Sequence, residues 1–199
     1  MRNKFRTTAH KNRMLPFKIS VLNTDEIQDL LNLQTENLKV NLDAKTIDSQ
    51  GFVSFVYKPE TIKGMMELPQ IIAKADDTII GYALSCSLSY GLEMTLMKPL
   101  VELSDTLTYQ NEPLSNLRLY IIGQVCVKAG YRGQGVFEAL YDGHKEYLSN
   151  QYDATITEIA LENKRSLAAH KRIGFQTIYE YFDEISQKDW AVVLLNLRK

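Results

Sequence analysis

Cysteine is scarce in this 199-residue chain: Cys86 and Cys126 are the only two, each inside an apolar run and far from the other. That spacing excludes a disulfide framework and a metal knuckle, and both read as small buried hydrophobes. No apolar stretch approaches the ~20 residues that span a bilayer, so no membrane partner is expected and the chain reads as cytoplasmic. Neither charge is in excess. Lys and Arg number 23 against 24 Asp and Glu, a formal net of −1, which removes the basic footprint expected for nucleic acid. Histidine occurs three times, with no metal-ligand spacing, so no metal is expected.

What is present is an ordinary globular composition, 45% hydrophobic and 24% charged, long enough to bury a real core. The charge is unevenly placed. MRNKFRTTAHKNR, at the start, holds five Lys or Arg and no acid, leaving 18 basic against 24 acidic residues, a net of −6, in the remainder. Residues 1–15 therefore read as a flexible basic leader in which Met14 is an alternative start, and 16–199 as a single domain. The leader lacks the apolar segment of a secretory signal.

Apolar periodicity switches repeatedly between two and about three and a half, the pattern of a mixed α/β or α+β domain. FKISVL (17–22) predicts a strand and TDEIQDLLNLQTENL (24–38) a helix capped by Thr24. A weaker helix is predicted over 59–68 behind Pro59, then two strands within 70–88 joined by a turn at Asp76 and Asp77. Residues 89–116 give no clear pattern beyond a short helix opened by Pro99. LRLYIIGQVCV (117–127) is the strongest strand signal. Beyond it come a helix over 136–148 with Val136, Leu140, Tyr147 and Leu148 on one face, a strand over 154–162, a helix over 164–173 capped by Asn163 and ended by Gly174, and a final hairpin around DEISQKD.

Between the strong strand and the 136–148 helix lies GYRGQGVF (130–137). Glycines at a helix N-terminus let an anion approach unpaired backbone N–H groups, so the arrangement suits a polyphosphate. A P-loop would need a Lys-Ser/Thr pair after Gly130, and a dinucleotide turn would need glycine at 138, where Glu138 stands. Both common nucleotide motifs fail.

The segment does fit R-x-x-G-x-[G/A] as Arg132, Gly133, Gln134, Gly135, Val136 and, departing at the last place, Phe137. A second stretch, NKRSLAAHKRIGF (163–175), is an Asn-led helix ending in Gly-Phe. Together, on the predicted elements and in this order, they resemble the acyl-CoA-binding segment of the GCN5-related N-acetyltransferase (GNAT) superfamily. The resemblance implies a single GNAT-like domain with a central mixed, mostly antiparallel twisted sheet flanked by helices. It implies acetyl-CoA as cosubstrate, its pyrophosphate on the amides of Gly133, Gln134, Gly135, Val136 and Phe137, with Arg132 and Asn163 beside it. The strand Val125, Cys126 and Val127 would bond the pantetheine arm. Phe137 either crowds the cofactor or packs on the sheet.

Acetyl transfer to an amine needs a base for the attacking ammonium and benefits from an acid for the departing thiolate. His170 stands where similar proteins often carry a tyrosine, so it is the candidate acid. The helix C-terminus favours its charged form and burial opposes it. No base stands out. Tyr120 and Gln124 are weak candidates on the central strand, while Glu158 and Glu162 read as structural or solvent-facing acids, and ordered water is an alternative.

Phe52, Phe55 and Tyr57, with Glu180, Asp183 and Glu184 among aromatics in the last hairpin, suit a cationic acceptor, a small-molecule or peptide amine. The plain reading of the same residues is core aromatics and solvated acids. The expected function is an acyl-CoA-dependent N-acetyltransferase working by direct attack in a ternary complex. The alternative is a non-catalytic CoA-binding or protein-interaction domain of the same fold. A homodimer through exposed strand edges is left open.

Overall fold

The computed structural model describes residues 16–50, 52–184 and 186–198. The expected leader over 1–15 lies outside the described residues. The chain opens with β1 (Lys18–Val21), a 3-10 turn at Thr24–Glu26 and α1 (Ile27–Glu36), followed by α2 (Ala44–Gln50) and α3 (Pro59–Met65). The cap is Asn23 rather than Thr24, with the Glu26 carboxylate accepting from the Asn23 amide at 2.9 Å.

A hairpin of β2 (Ile71–Ala75) and β3 (Thr78–Ser87) follows, turning through Asp76 at φ +49°. The stretch with no clear pattern beyond a helix opened by Pro99 holds α4 (Leu88–Glu93), that helix as α5 (Lys98–Ser104), and a hairpin of two-residue strands β4 (Thr108–Tyr109) and β5 (Glu112–Pro113). Then come β6 (Leu119–Val127), α6 (Val136–Leu148), β7 (Ala154–Ala160), α7 (Lys164–Arg172), β8 (Gln176–Asp183) and β9 (Lys188–Asn196).

Among the described residues, seven strands form one sheet in the order β1-β2-β3-β6-β7-β9-β8. Every pairing is antiparallel except β6 with β7. Both faces are covered, which is why the central strands read as continuous apolar runs. In β2, Ile72 joins a cluster with Leu30 of α1 and Ile62 of α3, while Ile71 and Ala73 join Val136 and Leu140 of α6 on the opposite face. On α6 the buried stripe is Val136, Leu140, Tyr141, Gly143, His144 and Leu148. Tyr147, expected on that face, is 47% exposed.

The parallel contact is short. It runs only Leu119↔Ala154, Tyr120↔Thr155 and Ile121↔Ile156. Its start is clamped, because Asp153 accepts from Arg118 Nη2 at 2.8 Å, Arg118 Nε at 3.1 Å and the Arg118 amide at 2.9 Å. Beyond Ile121 the strands part, and β6 bends at a bulge where Leu84 faces Gln124 but Ser85 faces Ile122, leaving Gly123 as the extra residue. The edge of β6 toward β7 is then free of strand partners from Ile122 to Val127.

The bulge is braced from behind by Gln70, which is fully buried. Its Oε1 accepts from the Ser85 amide, and its Nε2 donates to the carbonyls of Ser85, Met65 and Leu68. Gln70→Leu keeps the volume but strands these buried backbone groups, so it is expected to lower unfolding free energy by about 2–4 kcal/mol in urea titration.

Candidate active site

Along the free edge of β6 a cleft opens between that strand and α7 and runs toward the N-terminus of α6. Val125, Cys126 and Val127 of β6 form one wall, Arg132, Gly133 and Phe137 the end, and Asn163 with the Arg165, Ser166, Ala169 and Arg172 side of α7 the other wall. The two sequence motifs, more than twenty residues apart in the chain, thus meet at a single cleft.

The glycine turn has the geometry its composition demands. Gly130, Gly133 and Gly135 sit at φ +88°, +74° and +87°, and a Cβ at any of them would meet nothing within 4 Å. The glycines serve backbone conformation and leave open space over the amides, the form of an anion-binding nest at a helix N-terminus. Gln134 faces solvent and its amide donates to the Gly130 carbonyl at 2.5 Å, while Val136 turns into the core. Phe137 packs rather than crowds. Its ring lies 5.0 Å from Tyr141 and 5.1 Å from His170 and presents one side to the cleft.

The motif polar residues are already engaged. Arg132 Nε donates to the Val127 carbonyl at 2.8 Å, and its Nη2 bonds Asn37 Oδ1 at the end of α1. Asn163 caps α7 through Oδ1, accepting from the Ser166 amide at 3.2 Å, and its Nδ2 contacts the Phe52 carbonyl at 3.4 Å. Asn37 in turn bonds through its backbone to Val53, so Asn37, Phe52 and Val53 are fastened to the two motifs and wall one side of the cleft. Arg172 reaches across to Glu138 with Nε at 2.9 Å and Nη2 at 2.6 Å.

The catalytic candidates are placed differently from the sequence expectation. His170 is 2% exposed and lies outside the cleft. Its Nδ1 donates to the Ser166 carbonyl and its Nε2 accepts from Tyr141 Oη, each at 2.8 Å. Burial pushes it down to about 4, against a small opposite pull from the Ser166 bond, so it is neutral at pH 7. Desolvation outweighs the helix dipole because the ring is enclosed by Phe137, Tyr141 and Phe175. Tyr120 is wholly buried in the core below α6. Gln124 faces the opposite side, accepting from Tyr82 Oη at 2.6 Å and donating to the Phe55 carbonyl at 2.9 Å, a strut rather than a base. Burial pushes the Cys126 thiol up to about 12, which leaves it without thiolate character.

Glu158, which reads from sequence as a structural or solvent-facing acid, is placed at the parting of the strands. It lies on β7 two residues past the last contact with β6, half-buried, with Tyr181 Oη donating to its Oε2 at 2.7 Å. Burial pushes its carboxyl above the usual range, the Tyr181 bond pulls part of the way back, and Asp183 pushes up again. Glu162, by contrast, is tied to Lys39 at 3.0 Å and Lys188 at 2.8 Å. Glu180 and Glu184 are exposed and solvated. Glu162 lies in the turn beyond the end of β7 at Ala160, and no composition signal distinguishes the two.

Residues 53–175, more than half of the chain, match the acetyltransferase (GNAT) family. The chain belongs to this family. It is accordingly an acyltransferase with the mixed, mainly antiparallel GNAT fold. No curated protein sequence matches it. Solved structures do. The ribosomal-protein-S18-alanine N-acetyltransferase from Escherichia coli is 12% identical with a TM-score of 0.60, over 92% of this chain and 95% of that one. Arabidopsis thaliana NAA60, solved in complex with acetyl-CoA, is 14% identical at a TM-score of 0.61 over 90% and 99%. Arabidopsis thaliana Naa50, solved with a bisubstrate analogue CoA-Ac-MVNAL, is 13% identical at 0.60 over 91% and 99%. At these identities the likeness establishes the fold.

The buried histidines set a pH dependence. His144, 1% exposed, is also pushed down to about 4 by burial. A histidine with a folded pKa below its unfolded value of ~6.5 contributes stability above that value and loses it as pH falls toward 4. Each accounts for about 2 kcal/mol between pH 7 and pH 5. Urea titrations at the two pH values should show that fall, and His170→Phe should shrink it by about half the histidine share. An unchanged slope in the variant would mean that His170 is charged in the folded chain.

Proposed function

We propose that this enzyme moves the acetyl group of acetyl-CoA to the amine of a small molecule or peptide by direct attack in a ternary complex. The observation that carries the reading is the cleft itself: a free strand edge on β6 leads into an open nest of amides at the start of α6. That is the sequence of contacts an amide-rich arm ending in a pyrophosphate requires. The structures of NAA60 with acetyl-CoA and Naa50 with a CoA-containing analogue support it by likeness of fold.

Bound there, acetyl-CoA supplies an activated acyl group. The amides of Gly133, Gln134, Gly135, Val136 and Phe137 would hold the pyrophosphate, and those of Val125, Cys126 and Val127 the arm. Asn163 would trade its long 3.4 Å contact with Phe52 for the ligand. Arg132 acts from behind, fixing the turn to Val127 and α1.

Glu158 is the base. It stands at the separation of β6 and β7 with a raised proton affinity suited to taking a proton from an ammonium, directly or through one water. Tyr181 orients it. His170 serves as packing for Phe137 and α6, and no proton passes through it.

Two experiments test this. Titration calorimetry should show acetyl-CoA binding to the wild type and a loss of at least tenfold in Ala169→Glu, which keeps helix propensity but sets a carboxylate in the cleft. Equal binding by both would move the cofactor elsewhere. With an acceptor found by free-thiol detection over an amine panel, Glu158→Gln should lower kcat by about 10²-fold or more. The rising acid limb of the wild-type profile, set above the ordinary carboxylate range, should vanish in the variant. A limb that survives would assign the proton to another group.

A further inference from the structure

The hydroxyl of Tyr57 is buried without a hydrogen-bond partner at the point where β6 leaves β7. Tyr57 is 6% exposed, and its Oη finds no acceptor or donor among the described residues. Such a group is destabilising unless something absent from the folded chain satisfies it, since a phenylalanine would fill the same space.

Its position is specific. A Cβ on Gly123 would lie 2.7 Å from Tyr57 Oη, so the hydroxyl occupies the space that a side chain on the β6 bulge would take. Glu158 on β7 and Cys86 on β3 both lie within electrostatic reach of it. The tyrosine is also fixed from both ends. Its backbone amide donates to Gln34 Oε1 at 2.9 Å, and its ring meets Phe55 edge-on at 4.8 Å. Gln34 is itself fully buried beside Tyr82 of β3. An orphan donor, Tyr57 Oη, therefore stands at the bulge where β6 parts from β7, within electrostatic reach of Glu158.

The distance from the amide nest fits. From Val127 back to Gly123 the strand covers about 13 Å at ~3.3 Å per residue, the scale of an extended pantetheine arm laid on β6. With the pyrophosphate at Gly133 and Gly135, the thioester would arrive at the bulge.

We propose that Tyr57 is a catalytic residue whose Oη donates a hydrogen bond to the acyl carbonyl oxygen of the thioester, stabilising the negative charge that grows there as the amine attacks. This rests on the reading of the cleft as the acetyl-CoA site. Burial keeps the phenol protonated, as a donor must be. A buried donor acts where the local dielectric is low, so its hydrogen bond to developing charge is stronger than in water.

Isotope-edited infrared spectroscopy of acetyl-CoA labelled with ¹³C at the carbonyl tests the contact without any acceptor. Bound to the wild type, the carbonyl stretch should fall below its frequency in solution, and in Tyr57→Phe the shift should be lost with no decrease in Tm. The preference for acetyl-CoA over CoA in calorimetry should shrink about three- to tenfold in the same variant. Gly123→Ala, whose methyl intrudes on Oη, should displace the hydroxyl and reproduce the lost shift with Tyr57 in place. Binding of acetyl-CoA with the same stretch in wild type and Tyr57→Phe would overturn the role of Tyr57 and leave the cofactor site standing. Absence of acetyl-CoA binding to the wild type would overturn both.

Discussion

Three residue pairs of parallel sheet are the constraint on which the molecule turns. Arg118 and Asp153 hold the first turn of β6 against β7, and Leu119 to Ile121 pair with Ala154 to Ile156. After that the strands must separate, because β3 and β9 continue to claim their other edges and the Gly123 bulge bends β6 away. Separating two central strands exposes backbone groups that a closed sheet would satisfy, a cost that a folded chain bears only where something else comes to bond them. The cleft and the glycine turn both adjoin the free edge of β6 that this parting leaves.

The legible part of the structure was the part with strong local signals. The 136–148 helix was predicted with its exact bounds, since a glycine turn precedes it and its apolar spacing is regular. The Asn163 cap and the Gly174 stop were readable for the same reason, the latter now seen at φ +104°. Residues 89–116 were not, beyond the short helix that Pro99 opens, because α4 is six residues long and β4 and β5 two each, shorter than a periodic pattern needs to declare itself. Thr24 lost the cap to Asn23 because Glu26, three residues on, can bond back only to the earlier position.

Site residues followed a different rule. Backbone-binding positions were legible because glycine spacing encodes backbone shape. Side-chain roles were not, since they depend on which face of an element ends in the dry interior. His170 and Glu158 show the two outcomes of the same force. Desolvation drives the histidine to its neutral form and raises the proton affinity of the carboxyl. Identical physics therefore leaves the histidine neutral and the carboxyl with a raised proton affinity. Sequence position pointed to His170 and made Glu158 a structural or solvent-facing acid.

The exchange of roles has a structural logic. His170 is drawn into the aromatic cluster because Phe137, unusual at the end of the glycine motif, needs a partner of its own size, and Tyr141 and Phe175 complete the enclosure. A ring held there by bonds to Ser166 and Tyr141 has no remaining nitrogen to offer a ligand. The opposite wall of the opening compensates. There the segment leading into α3 is bound to α1 through Gln34, and it carries Tyr57 to the bulge with its hydroxyl uncommitted. On this view packing around Phe137 takes both His170 nitrogens, while Tyr57 carries the hydrogen-bond donor proposed for the thioester carbonyl.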